Sequence, residues 1–71
     1  MVNQYFSKEE LYRMYPRKWV LISEPVLRER DGAVMGGEFV GVFDVRTDAK
    51  REAFNRNLRF YSAISSLQEE D

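Results

Sequence analysis

Tyr15-Pro16-Arg17-Lys18-Trp19-Val20-Leu21-Ile22-Ser23-Glu24-Pro25 sets four bulky apolar residues in a row between two prolines. A strand with one solvated face alternates apolar and polar residues, and Trp19 to Ile22 does not alternate. Trp, Val, Leu and Ile favour extended backbone, and a run that is apolar on both faces suits a strand with cover on each side. Residues 18–27 therefore read as a strand in the middle of its sheet. Pro25 has no N–H to give to a ladder, so it belongs at an edge-facing or bulged position.

Upstream, Ser7-Lys8-Glu9-Glu10 has the capping-box pattern. The Ser7 hydroxyl accepts from the Glu10 amide, and the Glu10 carboxylate reaches back to the Ser7 amide. Phe6 before the cap and Leu11 after it have the spacing of a hydrophobic staple. Leu11, Met14 and Tyr15 then fall at helical spacing, and Pro16 disfavours helix at Tyr15. A short helix is expected over residues 7–15.

Downstream, Arg30-Asp31-Gly32-Ala33 separates the strand from a second apolar run. Asp-Gly is the usual signal of a two-residue hairpin turn, because both central positions need positive φ. The return strand is expected over residues 34–45, interrupted by Gly36-Gly37. A simple two-residue turn sets Trp19 opposite Asp44 and Pro25 opposite Glu38, mixing charge into the apolar side. One extra residue at the glycine pair brings Trp19, Leu21, Ser23 and Pro25 onto one face with Val45, Phe43, Gly41 and Phe39. A one-residue slip exchanges the faces of a strand, so the apolar pattern selects a bulge at Gly36-Gly37.

Arg46-Thr47-Asp48 opens a second helix, with Thr47 or Asp48 as its cap and Ala49, Ala53 and Phe54 on its buried side. Two endings fit the remaining residues. Continued to Gln68, a helical wheel keeps Leu58, Tyr61, Ile64 and Leu67 on the apolar half. Alternatively Asn55-Arg56-Asn57 stops the helix, and Leu58, Phe60, Ser62 and Ile64 alternate as a third strand. Residues 68–71, ending Glu69-Glu70-Asp71, read as a frayed acidic tail.

Tyr15, Pro16, Trp19, Val20, Leu21, Ile22 and Pro25, followed by Gly32, Val34, Gly37 and Val40, carry a resemblance. The chain resembles a loose group of small uncharacterised bacterial proteins that open with a short helix and a Y-P-x-x-W-V-L-I strand. In that group the hairpin leads into a helix and a further strand, so the resemblance implies a strand near residues 58–64. The group has no assigned activity, and no site residue follows from it. The expected fold is thus α+β in one domain, residues 1–71. It comprises a short N-terminal helix, a long antiparallel hairpin with a Gly-Gly bulge, a helix and a third strand, and the alternative is ββα with one long C-terminal helix.

With 71 residues, 44% of them hydrophobic, the chain has the composition of a small globular domain. A domain this size buries only about 60% of the surface its unfolded chain exposes, so self-association is a natural supplement to its core. It has no cysteine and no histidine. Disulfides, thiolate ligation, zinc sites and histidine-based proton transfer are therefore excluded, and no metal, cofactor or catalytic activity is expected. Carboxylate pairs such as Glu9 with Glu10 or Glu24 with Glu29 read as surface charge, and Ser62, Ser65 and Ser66 lack a histidine to activate them. The amino terminus lacks a basic segment followed by an apolar run, and no stretch is long and apolar enough for a membrane, so a soluble cytoplasmic protein is expected.

The net charge is −1, which supplies no overall attraction for nucleic acid. The cations are clustered nonetheless. Arg13, Arg17 and Lys18 lie among Tyr12, Tyr15 and Trp19, interleaved as in proteins that stack bases on rings and hold phosphates with cations. Lys50, Arg51, Arg56 and Arg59 form a second group. The plainer reading of both is aromatic core with solvated cations at its margins. The functional expectation is a protein-interaction module that binds a partner or a second copy through a sheet face or edge. The competing expectation is a nucleic-acid-binding accessory protein using Arg13, Arg17, Lys18, Lys50, Arg51 and Arg59.

Overall fold

The run that fails to alternate is buried on both sides. In the computed structural model, which describes residues 4–69, Val20, Leu21 and Ile22 are fully buried in a strand between two neighbours. The chain runs as β1 (Tyr5–Ser7), α1 (Lys8–Met14), β2 (Trp19–Leu27), β3 (Val34–Phe43), α2 (Arg46–Asn55) and β4 (Tyr61–Ser65). A short 3-10 turn, Ser66–Glu69, follows. The strands form one antiparallel sheet in the order β1-β3-β2-β4. Of the expected acidic tail, residues 68 and 69 belong to the 3-10 turn, and the last two residues lie outside the described ones.

The capping box of α1 is present: Ser7 N–H donates to Glu10 Oε1 at 3.1 Å, and Glu10 N–H donates to Ser7 Oγ at 3.2 Å. Phe6 packs with Leu11 in the cluster that contains Val20, Ile22 and Ile64. The same Tyr5-Phe6-Ser7 segment is also a strand on β3, an element the sequence reading lacks. The extra strand gives Gly36 its reason. A Cβ there would sit 2.3 Å from the Phe6 carbonyl oxygen and 2.9 Å from Ser7 Cα, so only glycine lets β1 pair this closely.

The single bulge expected at Gly36-Gly37 is corrected to three register shifts, of which two adjoin that pair and one does not. Leu21 faces Gly41 and Ile22 faces Phe39, which leaves Val40 as the extra residue. Two further register shifts fall between Ser23 and Val26 and between Val26 and Leu27. Glu24, inside the first of these, has φ 51. Trp19 consequently faces Phe43 rather than Val45, and Phe39 faces Ile22 rather than Pro25. Phe39 joins the α1 side, stacking on Tyr15 at 5.4 Å and meeting Phe6 edge-on at 6.3 Å. β3 ends at Phe43 and not at Val45.

The hairpin loop is also longer than expected. Arg28 N–H donates to the Ala33 carbonyl at 2.8 Å, leaving residues 29–32 between them. Gly32 has φ 73, the left-handed conformation foreseen for it. Asp31 receives Arg28 Nε at 2.9 Å and Nη2 at 2.7 Å, and the Ala33 N–H at 3.0 Å. These contacts hold the Asp31 carboxyl at about 2, with the Arg28 hydrogen bond as the largest cause.

On the opposite face, α2 packs Ala49 and Ala53 against Leu21, with Val40, Phe43, Leu58 and Ala63 around them. Neither Thr47 nor Asp48 caps the helix: Val45 holds the cap position without a side-chain bond. Phe54, expected on the buried side, is 84% exposed. The long C-terminal helix is ruled out at Asn57. Its φ is 60, and its N–H donates to the Phe54 carbonyl while the Leu58 N–H donates to the Ala53 carbonyl, each at 3.0 Å. These are the two bonds of a Schellman cap, completed by the apolar contact of Leu58 with the Ala53 cluster. The chain then enters β4, which lies antiparallel to β2 with Trp19 opposite Ser65 and Ser23 opposite Tyr61.

Candidate functional site

β4 ends the sheet, with β2 on its inner side. Which of its backbone groups face outward follows from one bond: Glu24 N–H donates to the Phe60 carbonyl at 3.0 Å, in line with the β2–β4 register. Hydrogen-bonded and non-hydrogen-bonded pairs alternate along an antiparallel ladder. Phe60, Ser62 and Ile64 thus bond inward to β2, while Tyr61, Ala63 and Ser65 direct their N–H and C=O groups outward. Ser65 is fully buried, so the open part of the edge is residues 61–63. That stretch has no charge and no proline, the devices that usually protect an edge from pairing.

Two open grooves meet at this edge. One, of about 310 Å³, runs along Ser62, Ala63 and Ile64 below Tyr12 and Arg46. The other, also about 310 Å³, is walled by Pro25, Leu27, Arg59, Phe60 and Tyr61. Val34 and Ser62 line both, so the two grooves adjoin near the start of β4. The second groove carries uncovered apolar surface, with Phe60 63% and Leu27 55% exposed. Neither groove is lined by a carboxylate. The edge therefore offers backbone donors and acceptors, apolar surface and cations, which are means of holding an extended chain.

The six cations singled out from the sequence do not form one surface. Arg13 lies exposed on α1, while Lys50 and Arg51 lie exposed on α2, across the sheet. Arg17 has φ 63 and gives its backbone N–H to Ser66 Oγ at 3.1 Å, so its place is fixed by the turn. Lys18 is ion-paired with Asp44. Arg51 Nη1 lies 4.0 Å from Asp48, and Arg56 is held by Glu52 at 2.5 Å. Of the six, Arg59 lines the second groove. Trp19 is no stacking platform either, being half-buried with the Arg46 guanidinium 5.9 Å from its ring centre.

The residues missed from the sequence are Phe60, Tyr61 and Ala63. The available signal was the uncharged Tyr-Ser-Ala-Ile-Ser stretch between two charged segments, which marks an unprotected strand once its edge position is known. Among the described residues, no group of three acidic side chains converges on a metal-sized site, and no helix is long and apolar enough to cross a membrane. No protein-family model, curated protein or solved structure matches the chain.

Proposed function

We propose that the chain is a protein-interaction module that captures an extended segment by strand addition along β4. The observation that carries this reading is the uncharged open edge at residues 61–63, bordered by grooves of about 310 Å³. Tyr61 and Ala63 supply main-chain hydrogen bonds, and the groove between Leu27 and Phe60 takes an apolar side chain of the incoming strand. Arg46 and Arg59 border the site and favour a segment with acidic flanks. The role is binding rather than catalysis, since the grooves hold no carboxylate to serve as acid or base.

Selection from a displayed library of extended peptides tests this reading. Binders should share an apolar residue beside acidic positions, should perturb the amide resonances of Tyr61 and Ala63, and should be lost with Tyr61→Pro. Binders that perturb only α1 or α2, or a selection that yields none, would overturn it.

A second reading rests on Phe54, which is 84% exposed one helical turn from Lys50 and Arg51. A ring between cations is a stacking element for single-stranded nucleic acid. It requires a labelled oligonucleotide to bind at low salt, with a salt slope that flattens in Lys50→Ala. No change in fluorescence anisotropy at low salt would remove it.

A further inference from the structure

We infer that the first groove is a binding site for a phosphate group carried on an apolar substituent, with Arg46 as its anchor. The inference goes beyond the strand-addition reading, since it needs no incoming strand and concerns side chains rather than the main chain of residues 61–63. The groove spans the open edge of the sheet: Lys8 and Tyr12 line it from α1 on one face, and Arg46 lines it from α2 on the other. Ser62 adds a second hydroxyl to that of Tyr12, and no carboxylate takes part. Every polar side chain along the groove can donate a hydrogen bond, and none is an acceptor only.

The acids nearest to Arg46 in sequence are engaged elsewhere: Asp44 is ion-paired with Lys18, and Asp48 lies 4.0 Å from Arg51. Among the described residues, the Arg46 guanidinium meets the Trp19 ring, 5.9 Å from its centre, and no carboxylate. A guanidinium held against a ring presents a rigid fork of N–H donors to an oxyanion. A phosphate monoester carries close to two negative charges at neutral pH and three acceptor oxygens, where a carboxylate has one charge and two oxygens. Donors that approach from both faces of the sheet suit the tetrahedral group better than the planar one. The substituent has a place as well, because Val34, Ala63 and Ile64 form an aliphatic wall beside the cations. At about 310 Å³ the groove stands at the lower limit of the ~300–1,000 Å³ usual for ligand sites, which fits a small ester.

Titration with phenyl phosphate, followed by amide and arginine side-chain NMR, tests the site. The Ser62 and Ala63 amides and the Arg46 Nε resonance should shift together and saturate in the millimolar range. Inorganic phosphate should shift the same resonances with weaker affinity. Arg46→Gln should weaken phenyl phosphate about tenfold or more, the loss expected when a charge-assisted hydrogen bond is removed. Arg46→Lys, which keeps the charge and loses the fork, should recover only part of the affinity. Both variants should fold, since a cation in the first turn of a helix opposes the helix dipole and is no support to α2, and a native amide spectrum verifies this. Lys50→Gln removes the same charge from an exposed position of α2 outside the groove, and it should leave binding unchanged. The assignment is overturned by the absence of a saturable shift, by an equal loss in Lys50→Gln and Arg46→Gln, or by benzoate binding as tightly as phenyl phosphate. None of these results bears on the strand-addition reading, which the peptide selection decides.

Discussion

α1 covers one face of the sheet with large side chains, whereas α2 covers the other with alanines. On the first face Leu11 sits fully buried among Val20, Ile22 and Ile64, closed by Phe6, Tyr15 and Phe39. On the second, Ala49 and Ala53 bring the helix backbone close to Leu21. The two faces thus solve the same problem with different geometry. A helix held off the sheet by leucine and aromatic side chains buries much area per residue, while a helix lying on alanines buries a narrow seam. The difference explains where apolar surface is left over. Phe54 lies about 100° round the helix from Ala53, beyond the reach of so narrow a seam, and it projects into solvent.

Leu11→Ala should produce the largest effect, because it empties the centre of the wide face. Leucine-to-alanine changes at fully buried sites cost about 2–5 kcal/mol, a large share of the ~5–15 kcal/mol that stabilises an ordinary domain. Urea unfolding should show the midpoint fall sharply or the native baseline vanish. A loss below about 1 kcal/mol would mean that the wide face is held by its aromatic residues instead.

Ala53→Leu tests the narrow face by the opposite change. Added methylenes have no room between α2 and Leu21, and overpacking costs roughly 1–3 kcal/mol. The adjacent Phe54→Ser should stay within about ±0.5 kcal/mol, as surface changes do. Equal effects at the two positions in thermal unfolding would refute the seam.

The contrast between the faces was only partly legible in the sequence. The α1 side could be read because its signals are local: a capping box, a staple and a terminating proline all lie within residues 6–16. The central place of β2 could be read because Trp19 to Ile22 has no polar face to offer. Ala49 and Ala53 were legible as a seam, but the width of the seam was not, since a helical wheel does not say how closely the helix will lie. β1 escaped because two of the three residues that pair with β3, Phe6 and Ser7, also serve as staple and cap. Missing β1 left half of the role of Gly36 unread: it adjoins two register shifts of the hairpin and also admits the Phe6 backbone. The register shifts at Val40, beside Gly41, and near Glu24, opposite Gly36-Gly37, are three where the glycine pair suggested one. The open edge was not legible at all, since a strand becomes an edge only when the order of the whole sheet is known.

The helix starts sharpen the comparison on a smaller scale. α1 has a side-chain cap and α2 has none. Ser7→Ala should cost about 1 kcal/mol, and Thr47→Ala should cost markedly less, measured by urea unfolding. A comparable loss from Thr47→Ala would show that α2 is capped after all.

The smallest effect belongs to the hairpin loop, which joins the two strands on which both helices pack. Asp31 titrates at about 2 in the folded chain, against 3.8 ordinarily, because Arg28 and the Ala33 N–H stabilise its charged form. A carboxylate whose folded value is depressed adds stability that is complete above the unfolded value and lost as pH falls through the folded one. Between pH 4 and 2 the contribution should therefore decline, modestly, since the pair is solvent-exposed. Carbon-detected NMR should place the Asp31 midpoint near 2 in the wild type and nearer 3.8 in Arg28→Ala. Because β2 and β3 underlie both faces, loosening their loop should lower the stability of the α1 and α2 sides together. The protection factors of the Leu11 and Ala53 amides, which allow for the intrinsic pH dependence of exchange, should then fall by the same factor as the pH is lowered. Divergent factors would mean that the two faces unfold as separate units, and that the sheet between them does not couple them.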